Sequence, residues 1–213
     1  MKANFNLNAL ERALNNNQAR IQAAVQEAMT RTALDVRDAV IGDMRTSIDR
    51  PTPFTVNPRG WYFKQTVVPG QIRQRVGILP KQAAYLQFLI KGIPRDQKII
   101  ERRTPDNRVL VPTRFAPLDR FGNVPKDYYL RAFKEAFSKK KGGKYFFAPA
   151  RKKGLFPGIY ERKPKAITPI FFAYNTARDY GKKIDLQGIA ERTIRDRIQF
   201  QIDRQIRKAT QRP

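Results

Sequence analysis

From Asn8 to about Ile48, apolar or small residues return at steps of three and four: Leu10, Leu14, Ile21, Val25, Ala28, Thr32, Val36 and Val40. That spacing predicts a long amphipathic helix, with room for a break into a short and a longer helix at the looser interval Asn15-Asn16-Asn17. Forty residues of helix measure roughly 60 Å at 1.5 Å per residue. A chain of 213 residues is too small to cover such a rod along its whole length. The pattern stops at Ser47-Ile48-Asp49-Arg50-Pro51-Thr52-Pro53-Phe54-Thr55. Pro51 and Pro53 have no backbone donor, and each biases its predecessor, Arg50 and Thr52, away from the helical region.

Past the prolines the period shortens. The runs 61–68 and 72–79 are aromatic and β-branched, and Pro69-Gly70 separates them, which predicts a hairpin. In the second run Ile72, Gln74, Val76 and Ile78 alternate with Arg73, Arg75 and Gly77, so one face should meet a core and the other water. A short helix is predicted over 81–91 with Gly92 to stop it, and a short strand at Val109-Leu110-Val111 closed by Pro112. Residues 119–125 carry turn chemistry, with Gly122 and Asn123 suited to positive φ. A helix with Tyr129, Leu130, Phe133 and Phe137 on its apolar face follows, then a cationic tip at 138–144 and strands at 145–148, 158–162 and 167–174. The last strand is apolar throughout, as a strand buried on both faces would be. A C-terminal helix from Leu186 to about Thr210 carries Ile189, Ile194, Ile198, Ile202 and Ile206 as a stripe. Together these predict an α+β chain with a long N-terminal helix, a mainly antiparallel β-sheet and a C-terminal amphipathic helix packed on the sheet. The expected division is the long helix over 1–50 and a basic α+β domain over 51–213.

Charge sharpens this picture. Lys and Arg number 43 against 18 Asp and Glu, for a net charge of +25. The first fifty residues hold seven basic and six acidic residues, so the excess belongs to residues 51–213. Such a surface attracts polyanions, whether nucleic acid, anionic membrane or acidic protein. There is no Cys and no His, which excludes disulfides, thiol nucleophiles, thiolate metal sites and the commonest general base. The acidic residues after the prolines stand singly, and no serine occupies a strand-turn-helix elbow. No catalytic residue, metal ligand or cofactor is therefore expected. No apolar run approaches the roughly 20 residues that span a bilayer, and Met1 to Leu10 do not read as a secretory signal, so the expectation is a protein without a membrane partner.

Three stretches invite a ligand and are read against simpler alternatives. Lys141-Gly142-Gly143-Lys144 lacks the leading glycine and the hydroxyl residue of a phosphate-binding P-loop, and reads as a solvated loop or a phosphate-contacting tip. Lys144-Tyr145-Phe146-Phe147 and Phe156-Pro157-Gly158-Ile159-Tyr160 mix rings with charge as single-strand binders do, although strands with rings in a core show the same mixture. The basic, isoleucine-rich last helix suits a membrane surface less well than a docking face. The candidate contacts for DNA or an acidic partner are Lys139, Lys140, Lys141, Lys144, Arg151, Lys152 and Lys153. A stand-alone basic nucleic-acid-binding protein is the alternative reading of this charge.

A set of motifs in fixed order resembles the bacteriophage tail-completion or neck proteins of the minor tail protein Z type. It begins with Asp49-Arg50-Pro51-Thr52-Pro53-Phe54-Thr55 after the long helix, and continues with Tyr85-Leu86, Gly92 and Val111-Pro112. Asp119-Arg120-Phe121-Gly122-Asn123-Val124-Pro125 comes next, then Gly154-Leu155 and Pro157-Gly158-Ile159-Tyr160-Glu161-Arg162. The last is Ile184-Asp185-Leu186-Gln187-Gly188-Ile189-Ala190-Glu191-Arg192, where Gln187 stands in place of the family's usual proline. The resemblance covers the chain from about residue 30 onward. It implies a structural virion protein, assembled in the host cytoplasm, that completes the tail at the neck as a homo-oligomeric ring, hexameric by that likeness. Its implied partners are the head connector or adaptor, the tail terminator or tail tube protein, and genomic DNA passing through the lumen. A ring of identical subunits would supply the rod's missing cover. Ile21, Val25, Val36 and Val40 are the expected subunit contacts, and Pro51, Pro53 and Phe54 the hinge that sets the rod's angle.

Overall fold

The computed structural model describes residues 7–68, 71–95, 98, 100–104, 107–138, 142–149, 154–177 and 181–211, with side-chain detail from Asn15 on. Among these residues the elements run α1 (Leu7–Ser47), β1 (Trp61–Val68), β2 (Gln71–Ile78), α2 (Pro80–Lys91), β3 (Val109–Pro112), α3 (Lys126–Ala136), β4 (Tyr145–Ala148), β5 (Gly158–Lys163), β6 (Ala166–Tyr174) and α4 (Leu186–Gln211). The chain is α+β, with the long N-terminal helix, antiparallel sheets and packed C-terminal helix that its pattern predicts. It divides into two compact units: Met1–Ser47, Pro53–Ala84 and Ile184–Pro213 form one, Ile48–Thr52 and Tyr85–Lys183 the other. The segment 1–50 is therefore not a domain of its own. It is the spine of a unit that also takes the hairpin and the last helix.

In the first unit α1 runs unbroken through Asn15-Asn16-Asn17. Residues 1–50 contain no Pro and a single Gly, and three Asn cost at most about 0.7 kcal/mol each relative to Ala, too little to open a helix flanked by good formers. Ala24, Ala28, Thr32, Val36, Val40 and Met44 form a row at four-residue steps, all buried. The Thr32 hydroxyl donates to the Ala28 carbonyl at 2.9 Å, which satisfies it inside the row. α4 lies antiparallel along α1: the Arg20 guanidinium donates to the Ala209 carbonyl, and Gln201 Nε2 donates to Asp35 Oδ2 at 2.8 Å. β1 and β2 form a two-stranded antiparallel ribbon in register from Trp61–Ile78 to Val68–Gln71. Its inner face sits on α1, where Gln65 Nε2 donates to the Gln26 carbonyl at 3.0 Å and Arg37 lies over the Phe63 ring. α4 thus joins the sheet layer through α1.

The isoleucine stripe of α4 does not sit at the centre of this seam. Gln201 and Gln205 are its buried residues, while Ile194 is 45% exposed and Phe200 54% exposed. Asp185 precedes the helix and its carbonyl takes the first helical bond, from Ile189 N at 2.9 Å. Its carboxylate covers the first turn so closely that a Cβ at Gly188 would lie 2.1 Å from Oδ2. Asp185 is a helix N-cap, and Gly188 leaves the space it needs.

The second unit is built on a sheet of order β3-β6-β5-β4, antiparallel throughout. Its core is Leu110, Ala116, Ala132, Phe133, Tyr145, Ile159, Ile170, Phe171 and Ala173. α3 closes one face through rings: Tyr129 meets Phe171 edge-on at 5.3 Å, and Phe137 lies 4.9 Å from Phe147. β6 pairs on both sides, yet its burial on both faces is confined to its middle, since Ile167 and Tyr174 are exposed. Pro169 lies within it, where a missing donor would break a regular ladder. The register shifts there: Ile159 pairs Phe171 but Tyr160 pairs Pro169, so Ile170 is the extra residue of a bulge.

Candidate assembly site

The proline stretch leaves α1 through one unusual residue. Arg50 has φ +46°, outside the right-handed helical region as the following proline requires, but left-handed rather than extended. Its guanidinium holds Asp49, with Nη2 to Oδ2 at 2.9 Å, and this bond keeps the Asp49 carboxyl below its ordinary range. The same guanidinium lies against Gly122, whose φ is +77°. Gly122 belongs to a turn in which Asp119 Oδ1 accepts from the Phe121 and Asn123 amides, both at 2.9 Å, and the Asp119 carbonyl accepts from Gly122 N. Two motifs that carried the family resemblance, seventy residues apart in the chain, therefore meet in the second unit. Pro51 belongs to that unit, while Pro53 and Phe54 belong to the first. Phe54 is exposed, and its carbonyl accepts from the buried Gln82 side chain at 3.4 Å.

The expected subunit contacts separate into two pairs. Val36 and Val40 are 2% and 0% exposed within the chain's own fold, so they are not available to another subunit. Their cover is the α4 and ribbon packing of the first unit, which the helical stripe alone does not reveal. Ile21 is 47% exposed and Val25 half-buried. With Met29 from α1 and Val68 and Ile72 from the ribbon they line a groove of about 780 Å³. Residues 15–23 are exposed on every side of the helix.

Of the cationic candidates, Lys139, Lys140, Lys141, Arg151, Lys152 and Lys153 lie outside the described residues. Lys144 is braced rather than loose. Its Nζ sits 2.8 Å from Glu161 Oε1 and 5.5 Å from the Tyr145 ring centroid, its amide donates to the Glu135 carboxylate, and the Glu161 bond raises its pKa. The neighbouring rings are structural: Tyr145 is buried, Phe146 stacks on Tyr160 at 5.8 Å, and Tyr160 Oη donates to the Phe156 carbonyl at 2.7 Å. They do not form an open platform for bases.

Sequence reasoning missed Glu101. It is 0% exposed, held by Arg95 through two bonds of 2.8 Å, and it also accepts from the Lys98 and Leu110 amides. Burial pushes its carboxyl up, but the Arg95 bonds and the two amides outweigh this and leave its pKa below the ordinary 4.5. Arg95 also donates to the Leu110 carbonyl, so the pair closes the free edge of β3. Beside it a cleft of about 610 Å³ is lined by Arg95, Lys98, Lys126, Tyr129 and the Gly122 turn. Among the described residues no group of three His, Cys, Asp or Glu is placed to hold a metal ion.

Compared with known proteins, the chain matches no family model, no curated sequence and no solved structure.

Proposed function

We propose that this chain is a structural subunit of a phage neck or proximal tail, a ring-forming protein that completes the tail and joins it to the head connector around the DNA channel. The observation that carries the reading is the free length of α1. Among the residues whose side chains are described, its buried row begins at Ala24 and residues 15–23 are exposed, Ile21 among them. An uncovered helical extension of this length is marginal in water and gains stability from tertiary packing. A neighbouring copy provides that packing in a heterologous, closing interface. The ordered motifs from Asp49 to Arg192 point the same way, and the contact between Arg50 and the Gly122 turn supplies a physical reason for two of them to be kept together.

The contact residues in this reading are Ile21 and Val25 with the groove they line, not Val36 and Val40. Work is done by assembly, without a cofactor. Light scattering at high salt, where charge repulsion between copies is screened, tests it. A discrete oligomer of fixed mass is expected, and Ile21→Asp should reduce it to monomer without loss of helicity. A chain that stays monomeric at every concentration sinks the proposal.

A further inference from the structure

We propose that the outward face of the β1–β2 ribbon is a docking surface for the phosphate backbone of duplex DNA. It goes beyond the ring reading, because a monomer would carry the same face. On this ribbon residues alternate between α1 and solvent, and Lys64, Thr66, Arg73 and Arg75 are all on the exposed side. The register sets Lys64 directly opposite Arg75, and Thr66 opposite Arg73. Like charges directly opposite each other destabilise an antiparallel pair. Nothing in the first unit offsets this: among the described residues Lys64, Arg73 and Arg75 take part in no ion pair. The chain contains no Asp or Glu between Asp49 and Asp96, a stretch that holds eight Lys and Arg. A bound polyanion removes the repulsion that the isolated ribbon bears.

The distribution on the face selects the partner. Protein-protein interfaces place apolar residues at the centre and charge at the rim. Here the centre is Lys64, Thr66, Arg73 and Arg75, and the larger apolar groups, Tyr62 and Val68, are at the two ends. Lys, Arg and Thr are side chains that contact phosphate and sugar. Arg73 and Arg75 are about 6.8 Å apart along the strand, which equals the axial rise of two nucleotides at about 3.4 Å each. A two-stranded ribbon is also narrow enough to lie against a DNA groove.

The test is the affinity of the full chain for a fluorescein-labelled 20-base-pair duplex, measured by anisotropy across a salt series. The ribbon triple variant Lys64→Gln, Arg73→Gln, Arg75→Gln is compared with the charge-matched control Lys134→Gln, Lys163→Gln, Lys165→Gln in the second unit. The ribbon variant should bind at least tenfold more weakly at the same salt, and its salt slope should flatten by roughly 3, about one per lost phosphate contact. The control should change by less than threefold. Equal losses in the two variants overturn the proposal, as does a ribbon variant that loses binding to vesicles of anionic lipid but keeps its affinity for the duplex. Lys64→Glu alone guards against misfolding. By replacing the like-charge pair with an opposite one it should raise the thermal midpoint while weakening DNA binding, and a variant that is more stable with unchanged affinity also overturns the proposal.

Discussion

The Arg50 guanidinium covers Gly122 so closely that a Cβ added there would stand 2.7 Å from Nη2. Both residues are left-handed, Arg50 at φ +46° and Gly122 at φ +77°. A side chain at 122 meets a flexible obstacle, which can swing aside, and a backbone strain, which cannot. Gly122→Ala should therefore cost about 1–2 kcal/mol, the usual left-handed penalty for an L-residue. Pairing it with Arg50→Ala should not recover that loss, because the strain remains. Urea denaturation of the two single variants and the double variant checks this.

Glu101 makes a pH-dependent contribution with a defined sign. Its folded pKa lies below its ordinary value of 4.5, so the folded state holds the charged form more tightly than the unfolded chain does. The stabilisation is complete above the ordinary value and is lost as pH falls through the folded one. Glu101→Gln should cost about 3–5 kcal/mol at neutral pH, since it leaves Arg95 without its charge partner. The gap between wild type and variant should narrow below the ordinary carboxylate range. Denaturation midpoints measured from pH 7 down to pH 3 test both statements.

Two strand glycines should respond differently to the same substitution. At Gly158 a Cβ would lie 2.1 Å from the Phe171 carbonyl oxygen, which belongs to the paired strand β6 and has nowhere to go. At Gly77 it would lie 2.7 Å from the Tyr62 ring, an exposed side chain on the ribbon's outer face. Gly158→Ala should cost about 3 kcal/mol, the upper end of overpacking penalties, and Gly77→Ala less than about 1 kcal/mol. Hydrogen exchange of the β5 and β6 amides should rise in the first variant alone.

Core and surface positions of α1 should also separate. Met44 is fully buried, and Met44→Ala should cost about 2–5 kcal/mol. In the monomer, Ile21→Ala should leave stability within about 0.5 kcal/mol, as for other exposed sites. Trp61 is the only tryptophan and is buried in the first unit, so its fluorescence follows the unfolding of that unit in each variant. The destabilisation expected of Met44→Ala should appear in this signal.

Much of the architecture was legible because it depends on local constraints. Prolines at 51 and 53 end a helix wherever the chain goes, an apolar period of three and four makes a helix, and two neighbouring β-branched runs pair as a ribbon, the Pro69-Gly70 step between them lying outside the described residues. Gly92, with φ +66°, stops α2 where its position in the sequence placed it, and Gly122 takes the positive φ its turn requires. The α+β class follows from those elements alone.

What covers each face was not local. The row that includes Val36 and Val40 looks the same whether a sister copy or α4 closes it, and α4 begins some 140 residues later in the chain. The isoleucine stripe of α4 marked an apolar side, but close approach along α1 selected Gln201 and Gln205, which no hydrophobic pattern singles out. Glu101 stands alone in sequence, and burial is tolerable only because Arg95 and two amides converge on it in space. Period and breaker residues act over a few bonds and so determined the elements by themselves. Partnership depends on which surfaces exclude the same water, and that is decided only when the whole chain has folded.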